Sequence, residues 1–444
     1  MLLELTALAF SVALTGGSGA VGAQQMSVEL PSHVRQIDIA PITVPAAGYT
    51  GSSQLTPVDI SLLPKLNGQA LLDQFALLPP ASLSQFVKDH PETVSSLLSA
   101  PPAAHEVAGW WTSISPKVRS TFVTQTPQLI GNLDGVPYAT RDLANRDYLS
   151  GAISSLRSQL ASGVGRGMNV EVTNHLHMLT EIRQSLNSRP GDPSRTLVTL
   201  DTSGSGRAAI VVGNLESADY VSFLIPGMFF TIDGQVDYWA NTATTLFHDQ
   251  SSWLKRLGDQ SRTVATVAWI GYQTPHLLNV GSLALADAGA TYLTNALEGL
   301  NTLRDNNEPY VSVMAHSYGS TAAMIALQQG AVQIDALAVV GSPGSEAQSV
   351  SALSVRGGNV YVGEAGWDPV VNSAFFGSDP GAPAYGAYRM GVSGGVDAIT
   401  DTRLSASYGH NEYFSAGSES MRNMALIGIG EGQMVMNDSG VTIA

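Results

Sequence analysis

The sequence predicts a mostly parallel α/β domain that follows a helical region. Up to Pro190, apolar residues recur at spacings of three and four, which is typical of amphipathic helices. After Pro190, short runs rich in valine, isoleucine and alanine alternate with helical patterns. Because these runs are apolar along their whole length, we expect strands of a parallel sheet covered by helices on both faces.

Composition limits the classes of function. The chain has 444 residues, 44% of them apolar, and a formal net charge of −15. That length allows a large catalytic domain and a smaller partner domain. The acidic balance and the presence of only four lysines argue against nucleic acid as a partner. The absence of cysteine excludes disulfides, thiolate metal ligands and a cysteine nucleophile.

The N-terminus is a candidate export signal. Residues 1–23 combine an apolar core, Leu5 to Leu14, with the small residues Val21-Gly22-Ala23. Glu4 and the lack of an early Lys or Arg argue against a signal, and an N-terminal helix or a misplaced start codon is the alternative. The apolar run is too short to span a membrane. Cleavage would place the protein outside the cell or in its envelope, and otherwise it would be cytoplasmic. Residues 24–68, rich in Pro, Ser, Gly and Thr, predict a linker.

Residues 69–190 predict a helical domain, whose protein partner, if it has one, the sequence does not identify. "PASLSQFVKDHPETV" starts at Pro80, and the similar "PKVRSTFVTQTPQLI" starts at Pro116. Proline at the start of each helix and again after its end predicts two similar helical hairpins. In "GNLDGVPYATRD", Asn132 and Asp134 are expected to cap a helix rather than to reach an active site.

Residues 191–444 predict the α/β domain. "RTLVTLDT" and "RAAIVVGNL" flank "SGSG" as a hairpin. Strands are then predicted in "YVSFLIPG", "TVATVAWIGY", "YVSVMA", "DALAVVGSPG" and "NVYVGEAGWDPV", and "RLSASYGH" is the candidate for the last strand. Helices are predicted at 236–257, 283–303 and 320–329.

Ser317 has the sequence context of a nucleophile. In "YVSVMAHSYGSTAAMIAL" a strand enters a turn at Ser317 and a helix with small residues follows. A nucleophile elbow requires small residues two before and two after the serine, and Ala315 and Gly319 satisfy this. The only perfect G-x-S-x-G match surrounds Ser393, but no strong strand precedes it and no elbow helix follows. A glycine-rich loop is the better interpretation there.

The remaining groups of a Ser-His-Asp triad follow from chain order. In this arrangement the acid and then the histidine follow the serine, and His410 is the only histidine after Ser317. Asp368 follows a predicted strand directly, whereas its rivals Asp379, Asp397 and Asp401 do not. Beside the nucleophile, His316 is expected to serve packing or support of the oxyanion loop rather than to act as the base.

Two backbone N–H groups are the expected oxyanion donors. Tyr318 begins the elbow helix, and its N–H is well placed beside the nucleophile. Met228 follows Gly227 in "FLIPGMFF", after an earlier strand, where the second donor is required.

From Trp110 onward the chain resembles an α/β-hydrolase family of unknown function. The motifs that carry the resemblance are "GNLDGVPYATRDLANR", "GSGRAAIVVGN", "PGM", "VAWIGY", "AHSYGS", "GSPGS", "WDPV" and "GHNEYF". The resemblance implies an α/β-hydrolase fold with Ser317, Asp368 and His410 as the triad, and it implies no known substrate. Ala315 and the bulky pair Phe229-Phe230 depart from the pattern, and the phenylalanines could narrow the acyl site.

These observations predict a serine hydrolase that acts on a small acyl substrate, most simply a carboxylic ester, without a metal or organic cofactor. One alternative is an interaction or scaffold protein with an inert hydrolase core, in which the helical half binds partners. Another is a peptidase or thioesterase that uses the same triad. Residues 70–190 could also cover and gate the pocket.

Overall fold

The structure is a computed structural model. It describes residues 58–163, 165–276, 279–437, 439, 441 and 442. The candidate signal at 1–23 and the linker up to residue 57 lie outside these residues. Among the described residues, no helix has the length and apolar character that a membrane crossing requires.

A run of helices precedes the sheet. A short 3₁₀ helix, Ile60–Lys65, is followed by eight α-helices. They are α1 Gly68–Leu77, α2 Pro80–Asp89, α3 Pro91–Ser99, α4 Ala104–Ser113, α5 Pro116–Gln125, α6 Pro127–Ile130, α7 Tyr138–Ser162 and α8 Arg166–Ser185. The repeated motif forms α2–α3 and α5–α6, and each of these four helices begins at its proline, as the repeat predicts. Proline is favoured there because the first helical N–H has no intrahelical partner to lose.

The helical region contributes to two separate cores. Helices α1–α6 enclose a core of their own, with Phe75, Trp110 and Phe122 among its buried side chains. Helices α7 and α8 instead pack Leu149, Ile153, Leu179 and Ile182 into the core that lies against the sheet.

The side chains of "GNLDGVPYATRDLANR" hold the helices to the first strand, β1 Arg195–Asp201. Asn132 exchanges two hydrogen bonds of 2.8 Å with the backbone of Leu200. Asn145 donates to the Leu197 carbonyl, and Asp134 pairs with the buried Arg141. The expectation that these residues cap a helix holds only for Asn132, which also donates to the Gln128 carbonyl in α6 at 2.8 Å. Asp134 instead serves a buried arginine, and Pro137 is the residue before α7.

A mixed sheet of eight strands forms the centre of the described residues. Its strands lie in the order β1-β2-β4-β3-β5-β6-β7-β8. The remaining seven strands are β2 Arg207–Gly213, β3 Tyr220–Ile225, β4 Val264–Ile270, β5 Tyr310–His316, β6 Ala336–Val340, β7 Val360–Gly363 and β8 Tyr388–Arg389. β1 and β2 form the predicted antiparallel hairpin, β2 runs antiparallel to β4, and the pairings from β4 through β8 are parallel.

Helices cover both faces of this sheet. They are α9 Val236–Arg256, α10 Ala284–Leu303, α11 Tyr318–Gln328 and α12 Glu419–Gly428. Two core clusters lie on opposite faces, one with α10 and α11 and the other with α9 and α12. The carboxyl ends of the parallel strands therefore open at one edge, where the loops that carry function are expected.

The last strand of the sheet is not in "RLSASYGH". Only Arg403–Leu404 of that segment is extended, and it pairs with β9 Gly395–Val396 in a separate two-stranded ribbon, as strand β10. The next residue, Ser405, bonds through its N–H to Gly417 and through its carbonyl to Glu419. The backbone groups of this segment bond to β9 and to the residues at the start of α12, so the segment does not join the main sheet.

Candidate active site

Ser317 lies on a sharp turn between β5 and α11. Its φ is 52° and its ψ is −131°, a strained backbone conformation for a residue that is not glycine. After the turn, Gly319 passes close to the residue that follows β3, Pro226. A Cβ at Gly319 would lie 2.3 Å from the Pro226 carbonyl oxygen. The turn presents the Ser317 side chain at the carboxyl edge of the sheet, as a nucleophile elbow does.

The structure brings together the three side chains that chain order selected. His410 Nε2 lies 2.7 Å from Ser317 Oγ. His410 Nδ1 lies 2.9 Å from both carboxylate oxygens of Asp368. Because an ionised carboxylate only accepts, Nδ1 carries the proton and Nε2 accepts from the serine hydroxyl. The serine, histidine and aspartate are 0%, 4% and 6% exposed, so the three groups interact away from bulk water.

The rival residues occupy other positions. Asp397 forms a buried ion pair with Arg422, with Nε 2.9 Å from a carboxylate oxygen. Asp379 accepts from the Gly381 N–H, and Asp401 is exposed. Ser393 is exposed in the segment between β8 and β9, without a helix directly after it.

Tyr413 holds Asp368 in place, and sequence reasoning missed it. Its hydroxyl donates to Asp368 Oδ2 at 2.7 Å and accepts from the Ala365 N–H at 2.8 Å. Val370 N–H bonds to the other carboxylate oxygen. Burial disfavours the charged form of Asp368, but the interactions with His410 and Tyr413 outweigh it and lower the pKa of the carboxyl. No local pattern reveals Tyr413, because its partner is 45 residues away in the chain.

His316 supports the histidine rather than replacing it. Its Nε2–H donates to the His410 carbonyl oxygen at 2.6 Å, and the two rings lie 4.7 Å apart. Burial and the neighbouring His410 lower the pKa of His316 to about 3, so its imidazole is neutral near pH 7. The contact fixes the backbone of His410 against the turn that carries Ser317.

The two expected oxyanion donors border the serine. Tyr318 is the first residue of α11, where backbone N–H groups have no partner within the helix. Gly227 packs so closely that a Cβ there would lie 2.6 Å from Ser317 Cβ. The Met228 N–H has no hydrogen-bond acceptor within the described residues. The next residue, Phe229, has a φ of 59° and donates its N–H to the Pro275 carbonyl.

A cavity of about 390 Å³ adjoins this group. Three residues beside the serine and histidine line it: Met228, His316, which precedes Ser317, and Asn411, which follows His410. The rest of its lining is Phe229, Phe230, Gly234, Gln235, Tyr238, Trp239 and Phe414. No described residue of the helical region lines it, although Glu181 of α8 accepts a hydrogen bond from the Gly234 N–H.

One surface cluster offers metal-ligating atoms. His177 and Glu181 of α8 and Asp233 place ligand atoms within 4.8 Å of one another. His177 Nδ1 already bonds to an Asp233 carboxylate oxygen at 2.6 Å, which accounts for the arrangement as an ion pair. His175 is not part of this cluster. It lies two residues before His177 on the same helix, so the two side chains face different sides.

Comparison with known proteins finds a family model that matches the middle of the chain. Residues 201–378 match the family model described as alpha/beta hydrolase. An uncharacterized protein of Mycobacterium tuberculosis is 28% identical over 394 residues, which are 76% of this chain and 57% of that protein. The chain therefore spans a little over half the length of this relative. An uncharacterized protein of Mycobacterium bovis is 29% identical over 237 residues, 52% of this chain and 86% of that protein.

Two solved structures illustrate the structural matches. An esterase/lipase from an uncultured bacterium has a TM-score of 0.34 at 10% identity and covers 64% of this chain and 98% of its own. An S-formylglutathione hydrolase from Agrobacterium tumefaciens has a TM-score of 0.32 at 12% identity, and the match covers 55% of this chain and 98% of that protein. The family match and the helix-covered parallel sheet agree: residues 201–378 carry an alpha/beta hydrolase domain, and the chain has the α/β-hydrolase fold.

Proposed function

We propose that the protein is a serine hydrolase that cleaves an acyl substrate, a carboxylic ester in the first instance. The observation that carries the proposal is the continuous hydrogen-bonded series Ser317–His410–Asp368 at a strained strand-to-helix turn. A serine hydroxyl is a poor nucleophile alone, and this arrangement supplies the base and the group that orients it.

The chemistry follows from the positions of the atoms. Ser317 Oγ attacks the carbonyl carbon while its proton moves to His410 Nε2. Asp368 stabilises the imidazolium, and the N–H groups of Met228 and Tyr318 bind the negative oxygen. The carbon–oxygen bond to the leaving group then breaks, and His410 returns the proton to the departing alcohol. Water, activated by the same histidine, attacks the acyl-enzyme and releases the carboxylic acid. None of these steps uses a cofactor.

The proposal carries a requirement for motion. Ser317 has no exposed surface, and the backbone of Gly227 lies against it. A substrate carbonyl therefore reaches Oγ only when the segment that contains Gly227 and Met228 moves outward. Such movement of an active-site loop accompanies substrate entry in many enzymes.

Labelling with a fluorophosphonate tests the proposal directly, because the reagent phosphonylates only an activated serine. We expect labelling of the wild type, loss of labelling in Ser317→Ala, and unchanged labelling in the matched variant Ser393→Ala. Hydrolysis of phenyl acetate should follow the same pattern. A folded wild type that is neither labelled nor active on the ester would contradict the proposal and favour a scaffold role for the helical half.

The class of acyl bond is a second question for the same protein. Matched ester, thioester and anilide substrates with one acyl group distinguish an esterase from a thioesterase or peptidase. We expect the ester to have the highest kcat/KM relative to its uncatalysed rate.

A further inference from the structure

We propose that the cavity beside the triad binds an uncharged aromatic ring carried by the substrate. For convenience we call it the aromatic cavity, defined by Met228 to Phe230, Gly234, Gln235, Tyr238, Trp239, His316, Asn411 and Phe414. The inference specifies the substrate of the proposed function and rests on it, but ligand binding tests it without catalysis.

The position of the cavity links it to the reacting atoms. Met228 is a proposed oxyanion donor, His316 precedes Ser317, and Asn411 follows His410. A group attached to a carbonyl at Ser317 therefore lies within reach of the cavity. Its aromatic rings continue toward the triad, since Trp239 contacts Phe414 at 5.1 Å between centroids and Phe414 lies 6.4 Å from His316.

The walls suit an aromatic ring. Phe230 lies 4.8 Å from Trp239 at a tilt of 60°, and Trp239 meets Phe414 edge to face at 66°. Trp239 donates its indole N–H to the Leu224 carbonyl and thus turns an apolar face to the cavity. Aromatic pairs in such geometry add about 0.5–1.5 kcal/mol beyond the burial of apolar area.

The cavity is held open by hydrogen bonds from outside it. Phe229 N–H bonds to the Pro275 carbonyl, and the Thr274 hydroxyl bonds to the Phe230 carbonyl. The Gln235 side chain accepts from the Thr231 N–H at 2.8 Å. These bonds fix the wall from Phe229 to Gln235, beyond the Gly227–Met228 segment that must move. A wall that is fixed before binding reduces the entropy lost when a ligand enters.

The lining excludes charged groups. Among the described residues that line it there is no Asp, Glu, Lys or Arg, and its histidine, His316, is neutral near pH 7. The Glu181 carboxylate, which is not part of the lining, is bonded to the Gly234 N–H. A carboxylate or ammonium in this cavity would lose hydration without a charged partner. The volume of about 390 Å³ exceeds the roughly 150 Å³ that suffices for benzene, so a ring with a short linker fits.

Binding to the full-length Ser317→Ala variant isolates recognition from chemistry. Saturation-transfer NMR titrations would compare benzyl alcohol with cyclohexylmethanol, which has the same size but no aromatic ring, and with benzoate. We expect benzyl alcohol to bind about threefold more tightly than cyclohexylmethanol. Benzoate should bind at least about tenfold more weakly. Equal affinities for the three ligands would overturn the proposal.

A second substitution locates the binding in this cavity. Gln235→Glu keeps the acceptor for the Thr231 N–H and suits the start of α9, but it adds a negative charge to the lining. When Gln235→Glu is introduced, the affinity for benzylamine should rise about fivefold relative to the affinity for benzyl alcohol. The matched control is Gln260→Glu, an exposed site before β4 at the opposite edge of the sheet, which should change nothing. The same response in both variants would place the binding elsewhere and overturn the proposal.

Kinetics of the wild type then assigns the ring to one side of the ester. Methyl phenylacetate is paired with methyl cyclohexylacetate, and benzyl acetate with cyclohexylmethyl acetate, because each pair has similar intrinsic reactivity. A higher kcat/KM for the aromatic member of either pair supports the proposal and names the acyl or alcohol side. Hydrolysis without preference in both pairs overturns it and leaves the proposed function standing. Aromatic binding without fluorophosphonate labelling and without hydrolysis of any ester supports the cavity and refutes the proposed function.

Discussion

The contact between Gly319 and Pro226 gives a quantitative test of the oxyanion geometry. In Gly319→Ala, the new Cβ would start 2.3 Å from the Pro226 carbonyl oxygen. Close carbon–oxygen contacts in proteins are about 3.3 Å, so the two segments must separate by roughly 1 Å. Met228 lies two residues after Pro226, and Tyr318 lies directly before Gly319. Whichever segment moves, the distance between the two proposed donors changes.

The expected loss of activity exceeds the expected loss of stability. A misplacement of about 1 Å in an active site costs on the order of 100-fold in rate. Overpacking costs about 1–3 kcal/mol of stability, and the helix propensity of alanine returns about 1 kcal/mol at this helical position. We therefore expect kcat for phenyl acetate to fall roughly 100-fold while the protein stays folded. Steady-state kinetics with phenyl acetate measures kcat, and urea unfolding measures the free energy of unfolding.

The matched control is Gly151→Ala in α7. A Cβ at Gly151 meets no atom within 4 Å, so the substitution should leave the rate unchanged and stabilise the helix by up to about 1 kcal/mol. If Gly319→Ala keeps a rate within about threefold of wild type, the displacement does not reach the reacting atoms, and the assignment of the donors is wrong.

Three further predictions concern the triad and its supports. Tyr413→Phe removes a donor to Asp368 and leaves the Ala365 N–H without its partner, so urea unfolding should show a loss of about 1–3 kcal/mol and kcat a fall of about tenfold. Asp368→Asn should keep the fold but lower kcat by about three to four orders of magnitude, since His410 loses its orienting carboxylate. Because burial and His410 lower the pKa of His316 to about 3, the unfolded chain binds more protons here than the folded protein between that value and 6.5. The contribution of His316 to the free energy of unfolding should therefore decrease as the pH is lowered through this window, by up to about 1.4 kcal/mol per pH unit. In His316→Gln, urea unfolding at about pH 7 and about pH 4 should show a correspondingly smaller loss of stability on acidification.

The elements of the sheet domain were largely predictable because their signals are local. Strands β1 to β7 and helices α9 to α11 appear where the patterns predict them. Sequence reasoning did not predict α12, Glu419–Gly428, although each of its residues is buried. Its arginine and asparagine, which suggest an exposed segment in the sequence, are buried because they bond to residues distant in the chain. Arg422, for example, is matched by Asp397.

By itself, the sequence determined the mostly parallel α/β architecture, the strand-to-helix turn at Ser317 and the histidine that could lie beside that serine, because His410 is the only histidine after it. Each rests on spacing along the chain or on a count of residues. Only the tertiary structure decided what surrounds these groups: the Tyr413 hydroxyl on Asp368, the His316 bond to the His410 carbonyl, and the aromatic cavity between the loop after β3, α9 and the loop after His410. Such contacts join residues far apart in the chain through hydrogen-bond lengths and ring distances, which packing sets and local sequence periodicity does not encode.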